Sequence, residues 1–413
     1  MAKGKSPHSF MPAGRGAAAA TLLITLALAA SGSIADSRQE GSVRFFVNAK
    51  SDFDRWTKRP GAAQQAWMRD HYDRMLAYSP YFDSRLAWFP NAWVYKDSYA
   101  LRSNWQIFMD HPQWVLRDAD GEALYIPFAC AGGSCPQHAA DFGNPDFRQW
   151  WIDDLRKEMD QGYIGVYVDD VNLDWRISNG RGEHVKPIDP RTGKEMTLSD
   201  WRRYFAEFME QIRAAFPDAE IVHNVIWYAT PADDPFIARQ IASADYINLE
   251  RGATDDGIRG GSGKYGFETI LGFIDGVHAR GRKVILDDDD SDTLVERDYE
   301  LAAYLLVNNG DDLIGADGDR RRMSPDNFWE GYEIDLGSAA GPRFSVGGLL
   351  RRDFECGIAL LNQPDMPTRT ITIGDGFNSL AGRPVRSVAL EARTAAILIK
   401  QDCSPVAASL RPD

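Results

Sequence analysis

The stretch NPDFRQWWIDDLRKEMDQGYIGVYVDD, residues 144–170, decides how the rest of the chain is read. Asn144 before Pro145 marks a helix start, because the asparagine oxygen can accept from free N–H groups and a proline at the first helical position needs no donor. Phe147, Trp150, Trp151 and Leu155 recur at the spacing of one buried helix face, and Gly162 ends the run. Ile164–Asp169 follows at once as a short β-branched and aromatic segment that closes on the acids Asp169 and Asp170. A helix feeding directly into a strand is one unit of a strand–helix repeat.

The same unit recurs on both sides. Strand candidates are Arg44–Asn48, Arg85–Phe89, an ill-defined one between Trp105 and Phe128, Glu220–Ile226, Tyr246–Glu250, Lys283–Asp287 and Asp312–Ala316. Between them, Trp201, Tyr204, Phe205, Phe208, Met209, Ile212, Ala215 and Phe216 trace one face of a helix with Ser199 as N-cap and Pro217 as stop. Another helix runs through Ile270, Phe273, Ile274 and Val277 to Gly281. Such alternation implies parallel strands with helical crossovers, and about eight units close naturally into an α/β architecture, the (β/α)8 barrel, here over residues 41–337. An open doubly wound sheet is the alternative, but Asn48-Ala-Lys-Ser-Asp52 after the first strand lacks the glycine fingerprint of a dinucleotide fold. Beyond residue 337 the pattern becomes short β-rich segments, Gly357–Leu361, Thr368–Ile373 and Val388–Lys400, which read as a small antiparallel β-domain over 340–402.

The N-terminus carries Lys3, Lys5 and Arg15, then an uncharged apolar run over residues 17–30, then small residues up to Ala35. Residues 1–35 therefore read as a secretory signal, since the apolar run falls short of the roughly 20 residues of a membrane span, with an uncleaved anchor as the alternative. Export to the outside or to a periplasm agrees with four cysteines, of which Cys130 and Cys135 flank a short flexible loop and Cys356 and Cys403 can pin the C-terminal region. A net charge of −14 repels a phosphate backbone, so nucleic acid is a poor partner.

Chemistry in a barrel of this kind sits at the C-terminal strand ends. Four of these ends are acidic: Asp169 and Asp170 with Asn172 close behind, Glu250, Asp287–Asp290, and Asp317 with Asp319. Cleavage of an acetal needs two carboxyl groups, one to protonate the leaving oxygen and one to attack the anomeric carbon or activate water. Asp169 is expected to face the axis and Asp170 to hold a neighbouring loop or the substrate, unless the pair merely caps that loop. Glu250 shares a strand face with Tyr246 and Asn248, although a salt bridge would also explain it. His223 and Asn224, with Trp227 just beyond, are candidate substrate-binding residues, His223 with a buried structural role as its rival reading. Asp287 is a further candidate; the aspartate run that it opens fails the EF-hand pattern. Trp93 and Tyr95, with Trp88 and Trp105, can stack on sugar faces or pack beneath a long loop. No cofactor or metal is expected.

The runs GVYVDDVNLDWR (165–176), EIVHNVIWY (220–228), DYINLERG (245–252) and KVILDDDD (283–290) resemble a family of hypothetical glycosyl hydrolases numbered fifteen. NAWVYKDSYA, HPQWVLRDADGEALYIPF and DFGNPDFRQWW resemble it too, and the likeness covers roughly residues 43 to 400. More distantly the barrel is similar to the endo-α-1,4-polygalactosaminidases, which carry an Asp after the fourth strand and a Glu further along. That resemblance implies catalytic roles for Asp169 and Glu250. The combined expectation is a glycoside hydrolase acting on an extracellular or cell-envelope polysaccharide. Two rivals are a non-catalytic polysaccharide-binding barrel and a metal-dependent carbohydrate hydrolase or deacetylase. Acids at several strand ends argue against the first, and seven histidines without ligand spacing argue against the second.

Overall fold

A computed structural model describes residues 39–403, apart from 50–53, 226–228, 289–292, 317–323 and 327. Trp227, Asp317, Asp319 and the N-terminal segment read as a signal all lie outside the described residues. Eight strands close into a barrel: β1 (Phe45–Asn48), β2 (Tyr72–Ala77), β3 (Ala92–Asp97), β4 (Gly165–Asp169), β5 (Glu220–Val225), β6 (Tyr246–Arg251), β7 (Lys283–Asp288) and β8 (Leu313–Ala316). Each pairs in parallel with its sequence neighbours, and β1 closes the ring on β8. The helices of eight or more residues are α1 (Ala62–His71), α2 (Pro145–Met159), α3 (Leu198–Ala215), α4 (Pro235–Ser243), α5 (Phe267–His278) and α6 (Leu294–Val307). Among the described residues no helix is long and apolar enough to cross a membrane.

Local chemistry sets the boundaries. The Asn144 side chain accepts from the N–H groups of Asp146 and Phe147, and Pro145 opens α2 as expected. The cap of α3 is Thr197 rather than Ser199: its hydroxyl accepts from Asp200 N at 3.1 Å while the Asp200 carboxylate reaches back, a reciprocal box that places Ser199 inside the first turn.

Two strand expectations fail. The second strand is Tyr72–Ala77, which follows α1 with no glycine or proline between them and so reads in sequence as more helix. Arg85–Phe89 is instead part of the β2–β3 connection, which makes a 3-10 turn at Asp83–Arg85 and buries Phe82 and Phe89. The third strand is Ala92–Asp97, and the segment between Trp105 and Phe128 belongs to a long excursion after it. That excursion contains the paired strands Ala100–Arg102 and Gln137–Ala139 and the Cys130–Cys135 disulfide.

The barrel interior is a packed layer to which every strand gives one side chain: Phe46, Leu76, Trp93, Tyr167, Val222, Tyr246, Ile285 and Leu313. Phe46 stacks on Tyr167 with ring centroids 5.8 Å apart, and Trp93 meets Tyr246 at 5.2 Å. Pairs of this kind add about 0.5–1.5 kcal/mol each beyond burial. Below this layer Glu220 takes two bonds from Arg74, at 2.6 and 2.7 Å, and one from Trp93 Nε1 at 2.7 Å, so an ion pair closes the N-terminal end.

Towards the C-terminus, β9 (Phe344–Val346), β10 (Leu349–Asp353), β11 (Gly357–Asn362), β12 (Arg369–Ser379), β13 (Pro384–Leu390) and β14 (Thr394–Lys400) form an antiparallel sheet in the order β9-β10-β11-β14-β12-β13. The run expected as Val388–Lys400 is two strands, broken where Arg393 takes a φ of 54°. The sheet leans on α6, where Arg352 donates to the carbonyls of Leu305 and Asn308, and Cys356–Cys403 ties the turn before β11 to the segment that follows its neighbour β14.

Candidate active site

Side chains alternate along a strand, so the residues two positions beyond the core layer point at the same axis, one step nearer the C-terminal mouth. That step carries Asn48, Tyr95, Asp169, Asn224, Asn248, Asp287 and Gly315, with Glu250 one step above Asn248. A change from apolar to polar over two residues on strand after strand turns the core into a site. Gly315 belongs to it through what it lacks: a methyl group there would lie 2.8 Å from Asp287 Oδ1 and 2.8 Å from Phe46 Cδ1. The mouth opens into a cleft of about 700 Å³.

Asp169 is held from three directions. Tyr95 donates its hydroxyl at 2.7 Å, Asn224 Nδ2 donates at 2.8 Å, and the Asp170 N–H donates at 2.7 Å. Burial, then the Asp169 charge, push the Tyr95 hydroxyl well above its ordinary range, so it remains a donor. Asn224 Nδ2 also donates to Glu250 Oε2 at 3.0 Å. Its orientation is fixed by Asn248 Nδ2, which approaches Asn224 Oδ1 at 2.8 Å, Tyr167 Oη at 2.8 Å and Asp287 Oδ2 at 3.3 Å. Because one amide nitrogen serves both carboxylates, at 2.8 and 3.0 Å, their accepting oxygens stand within about 6 Å of each other.

Asp170 leaves the pleat through a φ of 57°. Its carboxylate meets Arg176 Nη1 at 2.6 Å and Asn172 Nδ2 at 3.3 Å. Burial and then the Asp169 charge raise it to about 7, with Arg176 pulling the other way. Asp97, at the end of β3 and beside Asp169 in register, is likewise pushed well above the usual carboxylate range by burial and by the charges of Asp170 and Asp169.

Asp169, Asp170, Asn224, Glu250, Asp287 and Tyr95 thus line one cleft. Three expected substrate-binding residues do not. Trp93 is fully buried in the core layer and spends its indole N–H on Glu220, because it sits one pleat below the mouth. His223 is fully buried on the opposite strand face from Asn224, and burial lowers it to about 3, so it is a neutral structural imidazole. Asn172 is buried behind Asp170, bracing it and Tyr99. Sequence reading missed Asp97 and Tyr78, and it put Asn248 on the face of Glu250 without giving it a role. Asp97 carries the same strand-end acid signal as the others, hidden by the misplaced third strand, and Tyr78 stacks on Tyr95 at 4.7 Å. Among the described residues no group of three or more His, Cys, Asp or Glu side chains is arranged to hold a metal ion.

A closed parallel barrel with paired carboxylates at its C-terminal mouth has the form of a glycosidase. The model of hypothetical glycosyl hydrolase family 15 matches residues 75–358, and the chain belongs to that family and is a glycoside hydrolase. No curated protein matches it. Among solved structures it is similar to AmyB, a noncanonic maltogenic α-amylase from Thermotoga neapolitana, with 10% identity over 88% of this chain and 99% of that one and a TM-score of 0.51, a likeness of fold alone. It is also similar to the glycoside hydrolase domain of PelA from Pseudomonas aeruginosa, with 13% identity over 67% of this chain and 95% of that one and a TM-score of 0.41.

Proposed function

We propose that the enzyme cleaves glycosidic bonds of an extracellular or cell-envelope polysaccharide, with Asp169 as nucleophile, Glu250 as general acid and base, and retention at the anomeric carbon. The observation that carries this reading is the single Asn224 nitrogen bonded to both carboxylates. The spacing within about 6 Å that it allows suits direct attack, whereas an interposed water needs roughly 6.5–9.5 Å. Three donors around Asp169 suit a carboxylate that only accepts, as an attacking group does.

In the first step an Asp169 oxygen bonds to the anomeric carbon as the glycosidic C–O bond breaks, and the Glu250 proton goes to the leaving oxygen. In the second step water attacks the same carbon, Glu250 takes its proton, and Asp169 leaves as carboxylate. Asn48, Asp287 and Tyr78 contact the bound sugar in this reading, which their position in the cleft lining supports. Two disulfides and the N-terminal segment support export.

The test is reducing-end release from a panel of bacterial and plant polysaccharides by wild type, Asp169→Asn and Glu250→Gln, with the first-formed anomer read by NMR. Release with retained configuration is expected, abolished in Asp169→Asn and slowed about 10²- to 10⁴-fold in Glu250→Gln. Equal release by folded Asp169→Asn, or an inverted first product, would refute the assignment.

A further inference from the structure

One wall of the cleft takes no part in the chemistry above. It is built by the excursion after β3, where Arg102 and Gln137 are register partners in the short strand pair and Ile126 N donates to Gln137 O at 3.0 Å, two residues before Phe128. Arg102, Phe128 and Gln137 all line the cleft. The Cys130–Cys135 bond closes the turn that follows Phe128, and Tyr125 bridges to Ser178 beside the loop carrying Arg176.

Three features of this wall are those of a binding surface. Phe128 is 59% exposed although it is large and apolar. Gln137 is only 8% exposed, faces the cleft, and its side-chain amide has no partner among the described residues. What little of Gln137 is exposed opens to the cleft, so its amide can exchange water for a bound ligand. The Arg102 guanidinium is exposed and likewise has no hydrogen-bond or ion-pair partner among the described residues, whereas Arg176 is committed to Asp170 at 2.6 Å.

We propose that this wall is a subsite for a uronic acid residue of the polymer. The sugar face lies on Phe128, its carboxylate takes the paired N–H groups of Arg102, and Gln137 donates to the carboxylate or a ring hydroxyl. A guanidinium matches a planar two-oxygen group in a way a point charge does not. The free positive charge is on the wall while the floor holds Asp169, Glu250 and Asp287, so the acidic sugar is the one against the wall and not the one being cleaved. This inference rests on the glycosidase reading and adds a substrate class to it.

The experiment measures binding of Asp169→Asn protein, so that nothing is cleaved. The probes are uronate-bearing polysaccharides (pectate, alginate, glucuronan and xanthan), each beside its carboxyl-reduced counterpart, together with a neutral glucan and chitosan. At least one uronate polymer is expected to bind about tenfold or more tighter than its reduced form. Arg102→Gln should erase that difference and Arg102→Lys should keep part of it, while melting curves stay unchanged because the side chain is exposed. Absence of binding to every uronate polymer, or a preference that survives Arg102→Gln, overturns the proposal. If wild type then releases reducing ends from a neutral or amino-sugar polymer, the glycosidase reading stands without it.

Discussion

Asn224→Ala is the change that the site geometry makes most costly for its size. The side chain gives one bond to Asp169 at 2.8 Å and one to Glu250 at 3.0 Å. A hydrogen bond to a charged group is worth about 1.5–3 kcal/mol, and about 1.4 kcal/mol is a factor of ten in rate. If both bonds hold their carboxylates in attacking position, kcat falls by about 10²- to 10⁴-fold. Stability suffers less, by about 1–3 kcal/mol, because the Asn248 amide loses Asn224 Oδ1 but retains Tyr167 and Asp287 as neighbours. The assay is initial-rate kinetics on the polymer found by reducing-end release, with far-UV circular dichroism and thermal melting beside it. Asn224→Asp separates positioning from packing: it keeps the shape but offers a donor only when protonated, so its rate relative to Asn224→Ala should rise as pH falls. A folded Asn224→Ala enzyme with kcat within about threefold of wild type would refute the bridging role.

Three further outcomes follow from the same coordinates. Trp93→Phe should lower the melting temperature without changing KM, whereas Tyr95→Phe should lower kcat about 10- to 100-fold with little change in melting, since only Tyr95 touches a reacting carboxylate; a raised KM in Trp93→Phe would return that ring to the binding surface. In Glu220, burial is outweighed by the Arg74 bond and charge and by the Trp93 N–H, which hold the carboxyl below its ordinary 4.5. A depressed folded value stabilises above the unfolded one and is lost as pH falls through the folded one, so urea denaturation should show Glu220→Gln about 1–2 kcal/mol less stable at pH 7, a gap that narrows below about pH 4.5; a gap that widens on acidification would contradict this. Gly315→Ala drives a methyl group to 2.8 Å from both Asp287 and Phe46, and should cost about 1–3 kcal/mol in unfolding free energy and reduce activity; unchanged melting and rate would show that the barrel has slack there.

The barrel was legible because period-3.6 and period-2 patterns alternate along the chain, and β4 to β8 each fall where that alternation puts them. The second and third strands were not, for a local reason. α1 passes into β2 at Tyr72 without a breaker, so periodicity carries the helix onward, and the apolar run at Arg85–Phe89 takes the vacated place. Only Phe89 of that run is buried, and it lies in a connection and not in the sheet.

That displacement explains most of the errors at the site. Placing Trp93 after a strand makes it a surface aromatic; placing it second in β3 makes it core and lifts Tyr95 to the mouth, because one pleat separates them. The same misplacement hides Asp97, which stands beside Asp169 in register. His223 fails for the complementary reason, since being next to Asn224 in sequence puts it on the opposite face. Strand-end acids locate a mouth, but which side chain enters it is set by register to one residue, and only the core layer supplies that zero. Once Phe46, Trp93, Tyr167, Val222, Tyr246, Ile285 and Leu313 are known to be level, the next inward residue on each strand follows by counting two. What counting cannot supply is the excursion after β3, where long-range pairing and a disulfide, not periodicity, bring Arg102, Phe128 and Gln137 to the cleft.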